Sequence, residues 1–162
     1  MAEEEKADGG KRVSIIKIYV KDFSFESPLS PQVFQAKDWQ PATNLNLRSA
    51  HTQLDENMHE IVLTITVEAK DKDDDKTMFL LEVQQAGVFE LAGYDNEEMG
   101  ALIGSFSPNV LFPYARETIA GMVQKGGFPE FVLQPINFDA LYMQSLQNKQ
   151  AAAEESASAE TH

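Results

Sequence analysis

The chain has 162 residues, is 43% hydrophobic, contains no cysteine and carries a formal charge of −13. That length and apolar content suit one domain burying roughly 70% of its unfolded surface, and the missing cysteines exclude disulfide staples, thiolate nucleophiles and thiolate metal ligands. The charge sits on the expected fold itself, with 19 acidic against 9 basic side chains between residues 13 and 146, which disfavours nucleic acid and anionic lipid and attracts basic partners.

In chain order, residues 1–12 form an acidic stretch expected to be disordered. Met1-Ala2-Glu3-Glu4-Glu5-Lys6 lacks the basic start and apolar stretch of a signal peptide, and no apolar run approaches the ~20 residues that span a bilayer. The expected location is the cytoplasm. Residues 13–148 form the expected domain. Val13 to Glu26 is strand-like, but its apolar phase moves from Ile16, Ile18 and Val20 to Phe23 and Phe25, which predicts a bulge near Lys21 and Asp22.

Ser27 to Ala42 is a long irregular crossover holding Pro28, Pro31 and Pro41 around Val33, Phe34 and Trp39. Loops of this length inside a domain are functional or disordered, and the apolar content argues against disorder. Phe34 and Trp39 either pin the loop to the core or form one wall of a cleft whose other wall is the last helix.

Thr43 to Gln53 reads as a strand, joined through Asp55-Glu56-Asn57 to an antiparallel partner. Met58 to Lys70 alternates with His59, Ile61, Leu63, Ile65, Val67 and Ala69 on one face, the mark of a half-buried strand. Thr77 to Leu91 repeats that pattern. Asp95 with Glu98 predicts a capping box opening a helix through Met99, Leu102, Ile103 and Phe106. Pro108 and Pro113 are expected to kink or interrupt it, and Gly126-Gly127 to stop it. Asn137 or Asp139 can cap a last helix with the stripe Phe138, Leu141, Tyr142 and Leu146. Residues 149–162 are Ala/Ser/Glu-rich and expected to be disordered. Strands followed by helices predict an α+β domain around an antiparallel sheet.

Candidate chemistry is sparse. Asp71, Asp73, Asp75 and Glu82 fall at EF-hand ligand positions, but Lys76 occupies the turn position that requires glycine, and strands flank the segment; a solvated acidic hairpin is expected. His51 and His59 lie on neighbouring strands and can approach each other, without the carboxylate spacing of a metal site. Ser105 and Ser107 lack the second glycine of a nucleophile elbow. No P-loop or dinucleotide fingerprint occurs. Between Phe106 and Tyr142, by contrast, aromatics are interleaved with Pro108, Pro113, Pro129 and Pro135. Rigid apolar surface of that kind lines a groove or seals a subunit contact. The reading is a binding protein, not an enzyme, with a small hydrophobic ligand carrier as the alternative.

Several motifs then combine into a resemblance. Lys21-Asp22-Phe23-Ser24-Phe25-Glu26, Val33-Phe34-Gln35 with Asp38-Trp39-Gln40-Pro41, Glu82-Val83-Gln84-Gln85, Pro108-Asn109-Val110-Leu111-Phe112-Pro113-Tyr114-Ala115-Arg116 and Pro135-Ile136-Asn137-Phe138-Asp139-Ala140-Leu141 occur in order. Over about Ile15 to Leu146 the chain resembles the SecB family of export chaperones. The resemblance implies a four-stranded antiparallel sheet with a long crossover after the first strand and two main helices. It implies a cytoplasmic chaperone, without cofactor or metal, that binds unfolded precursor proteins and passes them to the ATPase SecA, with neither nucleic acid nor membrane insertion. It also implies a homotetramer built as a dimer of dimers.

Residue by residue, the resemblance assigns SecA contact to Asp22, Glu26, Leu80 and Glu82. It assigns the subunit interface to Leu81, Val83 and Gln85, and the peptide groove to Phe34, Trp39, Leu141 and Tyr142. Many relatives carry cysteine where this chain has Leu81, which alters packing volume at that contact.

Overall fold

The computed structural model describes residues 10–35 and 38–159; the acidic stretch before Gly10, the middle of the crossover and the last three residues lie outside them. Strand β1 spans Arg12–Glu26, β2 Pro41–Gln53, β3 Met58–Asp71 and β4 Thr77–Ala92. They form one antiparallel sheet in the order β1-β4-β3-β2. Because β1 and β2 occupy opposite edges, the chain between them crosses the sheet, with one 3₁₀ turn at Gln32–Gln35 on the way. The α+β fold expected from sequence is the one found.

The expected slip in β1 is present as a register shift between Val20 and Asp22, and a second lies between Ile15 and Lys17. Each adds a residue against β4 and turns the following side chains to the other face. The inner face of β3 is the predicted one: His59, Ile61, Leu63, Ile65, Val67 and Ala69 are buried.

Helix α1 covers Asn96–Ala101, a π-helical turn Leu102–Phe106 follows, and α2 covers Ser107–Lys125. The capping box is as expected, with Asp95 accepting from the Glu98 amide at 2.8 Å and Glu98 accepting from the Asp95 amide at 3.2 Å. The α-helical run gives way to a π-helical turn just before Pro108 and then resumes, while Pro113 does not end it. Pro108 has no N–H to offer the preceding turn, and the helix widens just before it: the Ser107 amide and Ser107 Oγ both donate to the Leu102 carbonyl, the hydroxyl at 2.8 Å. Pro113 is carried inside α2.

At the far end Gly127, with φ +87°, donates to Gln124 at 3.0 Å and Phe128 donates to Val123 at 3.2 Å. This left-handed glycine cap is what Gly126-Gly127 predicted. Leu111, Ala115, Ile119 and Val123, four residues apart on α2, are buried within the same core as Leu63, Ile65, Leu81 and Val83 of the sheet. Each such aliphatic side chain contributes about 1.5–3 kcal/mol by leaving water.

Helix α3 runs from Phe138 to Ala159. Asn137 caps it, its Oδ1 accepting from the Ala140 amide at 3.0 Å. The disordered segment expected from residue 149 is replaced by helix up to Ala159. Alanine and glutamate are good helix formers, and no glycine or proline stops the run. Phe138 is the one buried residue of α3.

Candidate functional site

Three surfaces carry the residues singled out in the sequence. The first is an aromatic platform at the end of α2. Phe128, fixed by the glycine cap and buried, packs against Phe79 at 5.0 Å between ring centroids. Phe34 and Trp39 from the crossover lie on it at 5.4 and 5.3 Å, yet remain 48% and 36% exposed. The rings pin the crossover to the core, the first of the two alternatives weighed from the sequence, and they also present an open apolar face, but Leu141 and Tyr142 of the last helix line a different groove. Gly127 makes room, since a Cβ there would sit 3.0 Å from the Phe34 ring.

The second surface is a groove of about 570 Å³ between the inner face of β2 and α3, walled by Leu47, His51 and Leu63 on one side and Leu141, Tyr142 and Leu146 on the other. Leu141 is 45% exposed. Tyr142 seats α3 on the π-helical turn: its ring fills the space that a Cβ on Gly104 would take, and its hydroxyl lies 2.7 Å from where a Cβ on Gly100 would stand. The Ser105 hydroxyl donates to Asp139 of α3. The four expected groove residues therefore do not line one cleft. Phe34 and Trp39 belong to the platform, Leu141 and Tyr142 to the groove. The crossover enters β2 opposite Asp71, whereas the groove lies along Leu47 to His51, further down the same strand.

At the groove wall His51 Nε2 and His59 Nδ1 are 2.9 Å apart, with the rings stacked at 5.1 Å. Burial lowers the pKa of both imidazoles, and His51 lowers that of His59 further. His59 Nε2 is buried without a partner. Among the described residues no cluster of three or more His, Asp or Glu is arranged to hold a metal. The Asp71 to Lys76 segment is a hairpin turn in which Asp71 Oδ1 accepts from the Asp73 amide at 2.7 Å.

The third surface is the open face of the sheet. Glu26 pairs in register with Leu80, Ser24 with Glu82 and Asp22 with Gln84. Directly opposed residues share a face, so Asp22, Glu26, Leu80 and Glu82 form one patch. Glu68, opposite Leu80 on β3, extends it and was not singled out from sequence. Glu82 accepts from Thr66 Oγ1 at 2.9 Å and lies 3.6 Å from Arg48. Further along, Glu60 accepts from the Tyr19 hydroxyl and from Lys21 at 2.7 Å. The Lys21 and Tyr19 hydrogen bonds lower the Glu60 pKa, while burial, then Glu60, raises that of Tyr19 to about 12.

Leu81, Val83 and Gln85 lie on the inner face of β4 and are buried within the single chain, the two aliphatics in the same cluster as the α2 stripe. Gln85 Nε2 donates to the Tyr19 carbonyl at 3.1 Å, bracing the bulge in β1. The glycine notch under Tyr142 went unnoticed in the sequence; its signal is the four-residue spacing of Gly100 and Gly104 within an apolar helical stretch.

The family model "SecB: Preprotein translocase subunit SecB" matches residues 6–149. A protein-export protein SecB of Nitrosococcus oceani is 54% identical over 140 residues, covering 86% of this chain and 84% of the relative. That of Marinobacter nauticus is 45% identical, with both chains covered in full. Among solved structures, the Rv1957 SecB-like chaperone of Mycobacterium tuberculosis, in complex with a ChAD peptide from the HigA1 antitoxin, superposes with a TM-score of 0.64 at 16% identity, covering 77% of this chain and 91% of that one. That likeness is one of fold.

Proposed function

The chain belongs to the SecB family, and we propose that it is a protein-export chaperone that holds non-native precursor segments on the aromatic platform and in the β2–α3 groove. The observation that carries this reading is the pair Phe34 and Trp39, half-exposed on a buried phenylalanine. Large rings on a rigid base, left open to solvent, bind many apolar side chains through water release and dispersion, with no demand for one sequence.

Two separate apolar surfaces on one chain favour a client that reaches both. Binding at the first raises the local concentration at the second, so weak contacts hold together. A carrier of one small ligand would need an enclosed cavity, whereas Leu141 leaves the groove wall 45% exposed. The decisive measurement is co-elution on size-exclusion chromatography: denatured precursor is retained by the protein, the same precursor after folding is not, and passage of both unbound overturns the reading.

The open face is the proposed contact for SecA. Carboxylates of Asp22, Glu26, Glu68 and Glu82 around Leu80 suit a basic module, the charges steering encounter and the leucine supplying contact. Assembly into a tetramer is proposed to use the π-helical turn and the outer side of α2, where Phe106 and Tyr114 respectively are exposed, and the β1 edge, where Ile15, Ile16 and Val20 are exposed. Leu81, Val83 and Gln85 then act on assembly through the seat they give α2 and β1. No described helix is long and apolar enough to cross a membrane; a cytoplasmic location is part of the proposal.

A further inference from the structure

From the pair of histidines at the wall of the β2–α3 groove we infer that client binding there is coupled to protons. The groove holds an apolar segment while His51 and His59 share a single proton at their contact, and releases it when a further proton is added. The inference rests on the client-binding reading of the groove.

His51 lies on the edge strand β2, bordering the groove with Leu47, Leu63, Leu141 and Leu146, and is exposed in the single chain. His59 stands behind it on β3, only 4% exposed, with its Nδ1 2.9 Å from His51 Nε2 and its Nε2 buried without a partner. A bond between two imidazole nitrogens needs one N–H and one lone pair. A further proton on the accepting nitrogen makes it a donor and breaks the bond. On an outer nitrogen it leaves a cation in the same apolar wall.

Among the described residues no facing side chain neutralises that cation. Around His51, β2 contributes Arg48, α3 contributes Tyr142 and Lys149, and α1 with the π-helical turn contributes Gly100, Ile103 and Gly104. Opposite His59 stand Gln53 on β2 and Phe89 on β4. The carboxylates of the neighbouring segments are engaged elsewhere: Asp55 by the Glu56 amide, Glu60 by Tyr19 and Lys21, Glu98 by Lys11 and Asp139 by Ser105. Glu56 and Glu97 are exposed.

Burial already lowers the pKa of both rings, and His51 lowers that of His59 further. An apolar segment that covers His51 strips water from it, which makes the protonated form costlier still. Client and proton then oppose each other by the same factor in both directions. The bound state carries fewer protons than the free one. Affinity is therefore full above the ordinary value of 6.5 and falls as pH drops through the lowered values of the free groove. The platform is built from the rings of Phe34, Trp39, Phe79 and Phe128 and has no such group. Acid loosens one of the two client contacts and leaves the other, which removes the gain in local concentration that joins them.

The test uses the full chain and a rhodamine-labelled unfolded peptide with capped ends, rich in leucine and phenylalanine and without titratable groups. Anisotropy titrations between pH 7.5 and 5.5 are run with the wild type, His51→Gln and Leu141→Ser, with circular dichroism at each pH to establish that the domain is folded. Wild-type affinity is expected to fall about fivefold over that range, and that of His51→Gln by less than about twofold. At saturating unlabelled peptide, the change in Trp39 emission that reports the platform is expected to persist at the lower pH. Calorimetry near pH 6 in two buffers of different ionisation enthalpy should show protons released on binding to the wild type and not to His51→Gln. Equal pH dependence in the two proteins, no proton release, or loss of the Trp39 signal in step with the groove affinity overturns the inference while groove binding stands. If the peptide does not bind at pH 7.5, or binds Leu141→Ser unchanged, the groove reading fails and the inference falls with it.

Discussion

His51 and His59 share a single hydrogen bond, Nε2 to Nδ1 at 2.9 Å, and the other nitrogen of His59 is buried with no partner. One proton must lie between the rings. If His51 supplies it, His59 carries its own proton on Nε2 as an orphaned donor. If His59 supplies it, Nε2 is a bare lone pair. The second arrangement is the cheaper, because buried unpaired N–H groups are rarer than unpaired acceptors.

Adding a further proton charges this apolar corner, and on His59 Nε2 it also restores the orphan donor, in keeping with the lowered pKa of both rings. The folded state then binds fewer protons than the unfolded chain below the ordinary value of 6.5. Stability is full above that value and falls as pH drops from about 6.5 toward the lowered folded values. Thermal unfolding between pH 7.5 and 5 is expected to show this decline, and His59→Leu to flatten it. An unchanged slope in that variant refutes the assignment.

Gly104→Ala is expected to undock α3 without unfolding the domain. The new methyl occupies the place of the Tyr142 ring, whereas exchange of glycine for alanine in a helix is itself favourable by up to about 1 kcal/mol. Hydrogen exchange over residues 138–149 should accelerate with the melting temperature little changed, and Tyr142→Ala in the same chain should remove the clash but not the looseness. Unaltered exchange in Gly104→Ala contradicts the notch.

Trp39→Ala and Phe34→Ala are expected to weaken client retention by about five- to thirtyfold, as removal of a partly exposed aromatic contact implies, and to leave unfolding nearly unaffected. Phe128→Ala should do both, since it deletes the buried base of the platform at a cost of about 3–5 kcal/mol. Chemical denaturation beside client binding separates the two effects. Equal destabilisation by all three would mean that the exposed rings are part of the core.

Glu82→Lys places a cation beside Arg48 and Thr66 on the open face. Loss of SecA association with client binding intact is the expected outcome, accompanied by a stability change of under about 1 kcal/mol because the ion pair is solvent-exposed. Parallel loss of both binding activities argues against separate surfaces.

Leu81→Ala should destabilise the single chain by about 2–5 kcal/mol through a cavity beneath α2, with dissociation of the assembly following from the shifted helix. Native mass spectrometry against denaturant titration distinguishes the order. An assembly that dissociates with the fold at full stability would show a direct contact after all.

Strand phases, the capping box at Asp95 and Glu98, the glycine stop after Lys125 and the Asn137 cap were legible because each depends on residues within a few positions of one another. The slip in β1 was legible for the same reason, as a change of apolar period. The helix past residue 149 was not, because an alanine-rich polar stretch has no apolar period to betray it, although its propensity is helical. The effect of Pro108 was legible only in part: a break in the α-helical pattern was expected there, but the widening that accommodates it is a backbone adjustment without its own residue signature.

The sequence by itself determined which residues face inward, where elements begin and end, and that the molecule offers apolar surface in place of reactive groups. Only the tertiary structure decided that Phe34 and Trp39 meet Phe128 while Leu141 and Tyr142 meet a glycine notch, that the carboxylates of β1 and β4 form one patch, and that Leu81 and Val83 are already covered. The reason is physical. Period and capping are set by the local backbone, whereas a surface is assembled from side chains far apart in sequence, whose meeting depends on strand order, register and the seat of each helix.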